Sequence, residues 1–392
     1  MSEKLTFKQL EFAFDGVLGN VLAKHFHRDM ESAALSAKFK LYYLLRPFIP
    51  IPLRQFLQRS RNRSLDIDND WYIPRDFLTD FQAAIRSVDA STKVTHPWPN
   101  GKRFAITLTH DIETADGQKL VSDIAAMEEK LGLRSAWYFI PYKYKLDHGL
   151  INDLKSRGHE VGIHGYNHDG RLFTSRTIFN YRTSYINRAA KDLGSSGFRA
   201  PMVHRNLDWM QQLEFDYDAS CFDIDPFQAM PGGVGGVWPF IVGRFVELPY
   251  TLPQDHTLLI TFGETTPRIW IRKLDLLQKL SGLAMMVTHP DYLDIASRRT
   301  VYQQFCEHVV QQPNRWQCLP SEVSTWWRRR STSTIVATAS SGEHSLEGPA
   351  SHDGRVIELA SLFHDLDIPP LAANYHWHSR SRDSAALHCG PT

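Results

Sequence analysis

Residues 99–330 are predicted to fold as an α/β barrel of parallel βα units. A helical extension is expected over residues 1–98 and a disordered tail over residues 331–392. Three observations lead there. From Arg103 onward, short apolar and β-branched runs alternate with stretches of helical character. Polar residues able to do chemistry mostly come directly after those runs, as side chains at the C-terminal ends of barrel strands do. The stretch STSTIVATASSGEHSLEGPASHDG is rich in Ser, Thr, Gly and Ala, and the remainder of the chain, ending HWHSRSRDSAALHCGPT, has no sustained periodicity. Removing residues 335–392 is therefore expected to leave the fold intact.

The 392 residues suit one large domain with extensions, and 42% hydrophobic and 22% charged residues are ordinary globular values. A net charge of +1 provides no overall field to attract nucleic acid, and none is expected as a partner. Cys221, Cys306, Cys318 and Cys389 form no metal-type spacing and read as small buried hydrophobes, which suits a reducing compartment. No signal peptide and no apolar run of membrane-spanning length is visible, so the expectation is a cytoplasmic protein.

In the extension, Phe7, Leu10, Phe14 and Leu18 recur at helical spacing. YYLLRPFIPIPLRQFLQRSRNR has two readings. It is an amphipathic, basic segment making peripheral contact with a membrane or partner, or a Pro-punctuated connector packed on the main domain with its arginines in water. The second is the simpler. Trp71 to Pro74 read as the entry to the main domain. Strands are then expected at Phe104–Thr109, Ser135–Ile140, Glu160–His164, Gly197–Arg199, Tyr217–Ser220 and Leu283–Thr288. Helices are expected at Leu120–Leu131, around Leu150–Arg157, and at Ser175–Leu193, Leu207–Leu213 and Ser297–Val310. In the tail, His376 and His378 flank Trp377, but they lack a scaffold to fix metal geometry.

Four strand ends carry candidate chemistry. In Thr109-His110-Asp111-Ile112-Glu113 the two carboxylates point the same way from an extended backbone, so one could hold a metal while the other acts as base. The pair could equally be a helix N-cap and a solvated acid. In His164-Gly-Tyr-Asn-His168 two imidazoles can converge on one metal, and a nearby carboxylate would complete three protein ligands with open positions. Arg199, in Gly197-Phe-Arg-Ala-Pro201, could hold a buried carboxylate ionised, or form an ordinary surface ion pair. His289, in Thr288-His-Pro290, could be a general acid or simply a satisfied polar residue. The run Pro231–Gly236 lacks the spacing and lysine of a phosphate loop and reads as a substrate-facing loop. Trp238, Tyr250, Trp270 and Tyr292 could stack on a sugar, although core packing is the default for aromatics.

Taken in order, THDIE, HGYNH, RAP and VTHP resemble the motifs of the polysaccharide deacetylase family (NodB-homology, carbohydrate esterase family 4) over residues 100–295. The resemblance implies a deformed (β/α) barrel. It implies a divalent metal, usually zinc, on His164, His168 and an acid of the first motif. It further implies Asp111 as general base, Arg199 as its tether and His289 as general acid. Apart from the resemblance, Tyr166, Pro201 and Trp238 are expected to contact substrate. The implied partner is an N-acetylated carbohydrate, attacked by metal-polarised water. The sequence departs from the common adjacent aspartates of the family in placing Glu113 two residues after Asp111. Either acid could be the ligand, and Glu113 is favoured. Two further readings stand beside deacetylation: a C–N hydrolase of a small amide or cyclic imide, and a degenerate barrel that binds a glycan or a partner. The oligomeric state is not legible.

Overall fold

The structure is a computed structural model describing residues 9–31, 36–45, 75–230, 232–337, 343–364 and 366, with a few further positions between 34 and 60. The chain opens with β1 (Leu10–Glu11), α1 (Gly16–Glu31), α2 (Ala37–Leu45), α3 (Arg75–Ser87) and β2 (Lys93–Thr95). The βα units begin with β3 (Phe104–Ile112), α4 (Ala115–Lys130), β4 (Ser135–Phe139), α5 (His148–Ser156), β5 (Glu160–His164) and α6 (Arg176–Leu193). They continue through β6 (Gly197–Arg199), β7 (Tyr217–Asp218), β8 (Phe240–Val242), β9 (Phe245–Glu247), α7 (Arg268–Lys279), β10 (Leu283–Thr288), α8 (Ala296–Gln311), β11 (Arg315–Gln317) and α9 (Pro320–Ser331). Last come β12 (Thr334–Ala337), β13 (His344–Glu347), β14 (Val356–Glu358) and a one-turn helix, Leu359–Leu362.

The main sheet runs β1-β8-β9-β7-β6-β5-β4-β3-β10 and is parallel from β9 to β10, with β11 parallel to β3. β8 and β1 add antiparallel strands at one edge. The sheet curls shut beyond β9, where the N–H groups of Thr251 and Leu252 donate to the carbonyl of Met285 on β10. Every residue of β3 and β10 is buried. Strands covered on both faces need such unbroken apolar runs, so these two strands read clearly in the sequence. The helices carry ordinary start signals: Thr114, Asp147 and Ser175 each accept a backbone N–H at the N-termini of α4, α5 and α6. The structure is thus the expected deformed (β/α) barrel.

Two expectations are corrected. The helical spacing from Leu10 does not form a helix there: Leu10 pairs with Val242 in β1, and α1 starts only at Gly16. Edge pairing with β8 satisfies that backbone better than an isolated helical turn would.

The tail is not structureless over its described part. β12 and β13 form a hairpin, and β14 pairs antiparallel with β2. Leu346, Leu359, Leu362 and Phe363 are buried, and the Phe363 ring lies 5.7 Å from Phe14 and 5.5 Å from Phe81. These apolar residues are too sparse for a periodic pattern, and Phe363 finds its burial against Phe14 and Phe81, far away in sequence. Buried Arg330 reinforces the seam, donating to the carbonyls of Ala13 at 2.6 Å, Thr95 at 2.8 Å and His96 at 3.2 Å. The His376–His378 pair, Cys389 and Trp71–Pro74 lie outside the described residues. Cys221, Cys306 and Cys318 are free and buried.

Candidate metal centre and flanking acid–base pair

Strand alternation sorts the first motif. His110 turns away from the site, stacking on Trp137 at 4.0 Å with Nε2 2.8 Å from Glu128. Asp111 and Glu113 face the opposite way. Just beyond, the Thr114 hydroxyl donates to Asp291 at 2.5 Å, and a Cβ at Gly117 would lie only 2.7 Å from the same carboxylate. The start of α4 and the loop after β10 therefore interlock, drawing His289 toward the acids.

His164 ends β5. Its Nδ1 lies 3.1 Å from the Arg199 carbonyl, which makes Nδ1 the donor and leaves Nε2 with a free lone pair. His168 sits on the next loop with φ at 60°, a left-handed conformation uncommon for a non-glycine residue. The loop can turn so tightly because Gly165 has no Cβ: one would stand 2.3 Å from the Pro201 ring. His168 Nε2 comes within 2.8 Å of Glu113 Oε1.

The ligand atoms of Glu113, His164 and His168 all lie within 4.8 Å of one another. Both Nε2 atoms are buried and off the geometry of any hydrogen bond. Two imidazole nitrogens, that of His168 already beside Glu113, and a carboxylate converging on one point are a donor set that fits a divalent cation. Burial lowers the His164 pKa to about 4, which keeps the ring in the neutral, ligating form.

Asp111 lies beside this cluster, with Oδ2 3.8 Å from His164 Nε2. Its Oδ1 accepts from Arg199 Nη1 at 2.8 Å, while the guanidinium lies over the Tyr138 ring at 4.4 Å and Nε donates to the Ala219 carbonyl. Burial alone would raise the Asp111 pKa, yet the Arg199 charge, aided by His164 and His289, holds it below the usual carboxylate value. On the other side stands His289, with Nε2 3.7 Å from Glu113 and Nδ1 2.7 Å from Asp255. Burial would favour the neutral ring, but Asp255, then Glu113 and Asp111, raise its pKa to about 10. A cation on Glu113 would remove part of that support.

The structure thus brings Asp111, Glu113, His164, His168, Arg199 and His289 together. Tyr166 and Pro201 line a small cleft with His168 and His204. Trp238 is a correction: it is buried in the core, packs on Phe14 and Phe81, and donates from Nε1 to the Ser281 carbonyl just before β10. That is the opposite end of the barrel from His289, because an aromatic residue carries no signal of which strand end it will meet. Tyr250 and Trp270 are also buried.

Asp255 is the residue missed. It binds both the backbone N–H and Nδ1 of His289 at 2.7 Å. It stands alone in LPQDH, and only its distance from the acid-base motifs in sequence hid it.

The fold and this site define a class: α/β barrels with a His/His/carboxylate cluster at the strand ends. No protein-family model and no curated protein matches the chain. Among solved structures, it is similar to a putative polysaccharide deacetylase from Mycobacterium smegmatis, at 19% identity and TM-score 0.48, covering 60% of this chain and 93% of that one. It is similar also to Puue allantoinase, at 14% and 0.48, covering 61% and 94%. A probable polysaccharide deacetylase from Pseudomonas aeruginosa PAO1 aligns at 14% and 0.46, covering 60% and 94%.

Proposed function

We propose that this chain is a metal-dependent hydrolase that removes N-acetyl groups from a sugar or polysaccharide. The observation that carries the reading is the convergence of Glu113, His164 and His168 between a held base and a held acid. A bound divalent cation, most simply zinc, would polarise the acyl oxygen and acidify a water.

The chain's own residues do the rest. Asp111 accepts the water proton at Oδ2, the oxygen not occupied by Arg199. His289 delivers a proton from Nε2 to the departing amine, because Asp255 fixes Nδ1 and thereby the ring's orientation. Two groups of opposite role, with pKa values pushed apart by their surroundings, are the arrangement amide hydrolysis requires.

A sugar has aromatic surfaces to rest on nearby. The Tyr166 ring lies 4.7 Å from Tyr142, which packs on Tyr185, and Tyr142 and Tyr181 are exposed. Such rings present an apolar face and a polar tip.

The test is acetate release from N-acetylated oligosaccharides by the purified protein, beside its metal content by elemental analysis. His164→Ala and His168→Ala should each strip the metal and abolish release. Full metal in both variants would overturn the assignment, and turnover of cyclic imides with no acetate release would overturn the substrate class.

A further inference from the structure

The segment after α1 presents an unusual surface. Leu41, Leu45, Phe48, Leu53, Phe56 and Leu57 are all exposed, Phe48 to 83% and Phe56 to 65%, and they are six of the eleven large hydrophobics exposed among the described residues. Between Glu31 and Asp66 the sequence carries seven basic residues (Lys38, Lys40, Arg46, Arg54, Arg59, Arg61 and Arg63) and no acidic one, in a chain whose net charge is only +1. The simple connector reading expects these apolar side chains to pack on the main domain, and they do not. Instead the opposite side of α2 does the packing: Tyr43 is buried with Met230, and Phe39, Tyr42, Met202 and Ala229 pack around them.

That anchorage is next to the metal cluster. The Tyr43 ring lies 4.8 Å from His204, and a Cβ on Gly170 would meet it at 2.7 Å. Gly170 is two positions after His168. No helix among the described residues is long and apolar enough to cross a membrane. Apolar side chains set in a purely cationic stretch match the two demands of a surface-lying element: acyl chains for the one and anionic headgroups for the other.

We propose that the exposed apolar side chains of Leu41, Leu45, Phe48, Leu53, Phe56 and Leu57, with Lys38 and Lys40 beside them in sequence, dock this protein on an anionic lipid bilayer, with the metal centre held close to the membrane plane. An acidic protein groove would match the charge, but it would not call for six scattered exposed anchors separated by Pro47, Pro50 and Pro52. A bilayer interface accepts apolar anchors at irregular sequence spacing. Docking is independent of the hydrolase reading, since it needs no turnover.

Flotation of the full chain with vesicles tests it. The protein should float with phosphatidylcholine–phosphatidylglycerol vesicles and remain behind with phosphatidylcholine alone. Phe48→Ser with Phe56→Ser, and separately Lys38→Glu with Lys40→Glu, should each lower the partition coefficient on the order of 100-fold. Acetate release from a soluble substrate should be unchanged in both, since all four side chains are exposed and none belongs to the ligand set or to the acid and base beside it. Absence of flotation with the anionic vesicles, or double variants that float as the parent does, overturns the proposal. So does a parent that sediments as a dimer, does not float, and becomes monomeric in the Phe48→Ser/Phe56→Ser variant, because a second copy would then be the occupant. A protein that floats but releases no acetate supports docking while refuting the hydrolase reading.

Discussion

Arg199 Nη1 stands 2.8 Å from Asp111 Oδ1, with the guanidinium wholly buried and the carboxylate nearly so. A charge pair this dry keeps the carboxylate ionised and fixed in direction, leaving one oxygen clear of Arg199, as the proposed base requires. Asp111→Asn should lower kcat by about 100- to 10,000-fold with bound metal unchanged. Elemental analysis beside single-substrate kinetics checks this, and loss of the metal would make Asp111 a ligand instead. Arg199→Lys retains a cation but not the fork. Asp111 should then titrate at higher pH, moving the acid limb of kcat/KM upward.

Asp255 acts on the other limb. It supports the protonated form of His289 by charge and by a hydrogen bond. Asp255→Asn should therefore lower the His289 pKa and move the alkaline limb of kcat/KM to lower pH. Metal content should stay at the parent value. An unmoved alkaline limb would show that another group donates the proton.

The C-terminal stretch should prove structural. Ending the chain at residue 333 removes Leu346, Leu359, Leu362 and Phe363 from the core, together with β14 from its pairing with β2. At roughly 1.5–3 kcal/mol for each of these four buried apolar side chains, the loss is on the order of 6–12 kcal/mol. Calorimetry should record a fall in Tm of about 10 °C or more. A truncated chain melting at the parent temperature would contradict the packing described.

His96 predicts an acid-side loss of stability. Burial holds its folded pKa at about 4 against an ordinary 6.5. The unfolded imidazole therefore takes a proton first. The native state keeps its full advantage above pH 6.5 and loses it as the pH falls toward 4, by about 3 kcal/mol at the limit. Urea midpoints measured across that window should fall less steeply in His96→Asn. The parent's slope persisting in the variant would assign the effect to other groups.

The barrel strands were legible because burial on both faces leaves a run of apolar and β-branched residues, as in Phe104–Thr109 and Leu283–Thr288. The ligand pair was legible because His164 and His168 lie on one loop, so sequence spacing stands for distance. Asp255 was not, since its partner His289 is 34 residues away and a lone acid before an irregular helical turn carries no spacing. β1 and β8 escaped for another reason: strands of two or three residues carry too few positions to show a period. Trp238 and the tail failed together, because both belong to a core assembled from opposite ends of the chain.

That seam sets the order in which the molecule can be built. Gln82 on α3 donates to the carbonyl of Leu366, 284 positions later, and Lys93 pairs with Glu358 across the β2–β14 contact. At roughly 5–20 residues per second, a ribosome needs on the order of half a minute to deliver the second partner after the first has emerged. Throughout that interval Phe14, Phe81 and, once it emerges, Trp238 present a face that still lacks the Phe363 ring. Nascent chains should consequently be captured by chaperones at this face, and the arrival of Leu359, Leu362 and Phe363 should release them.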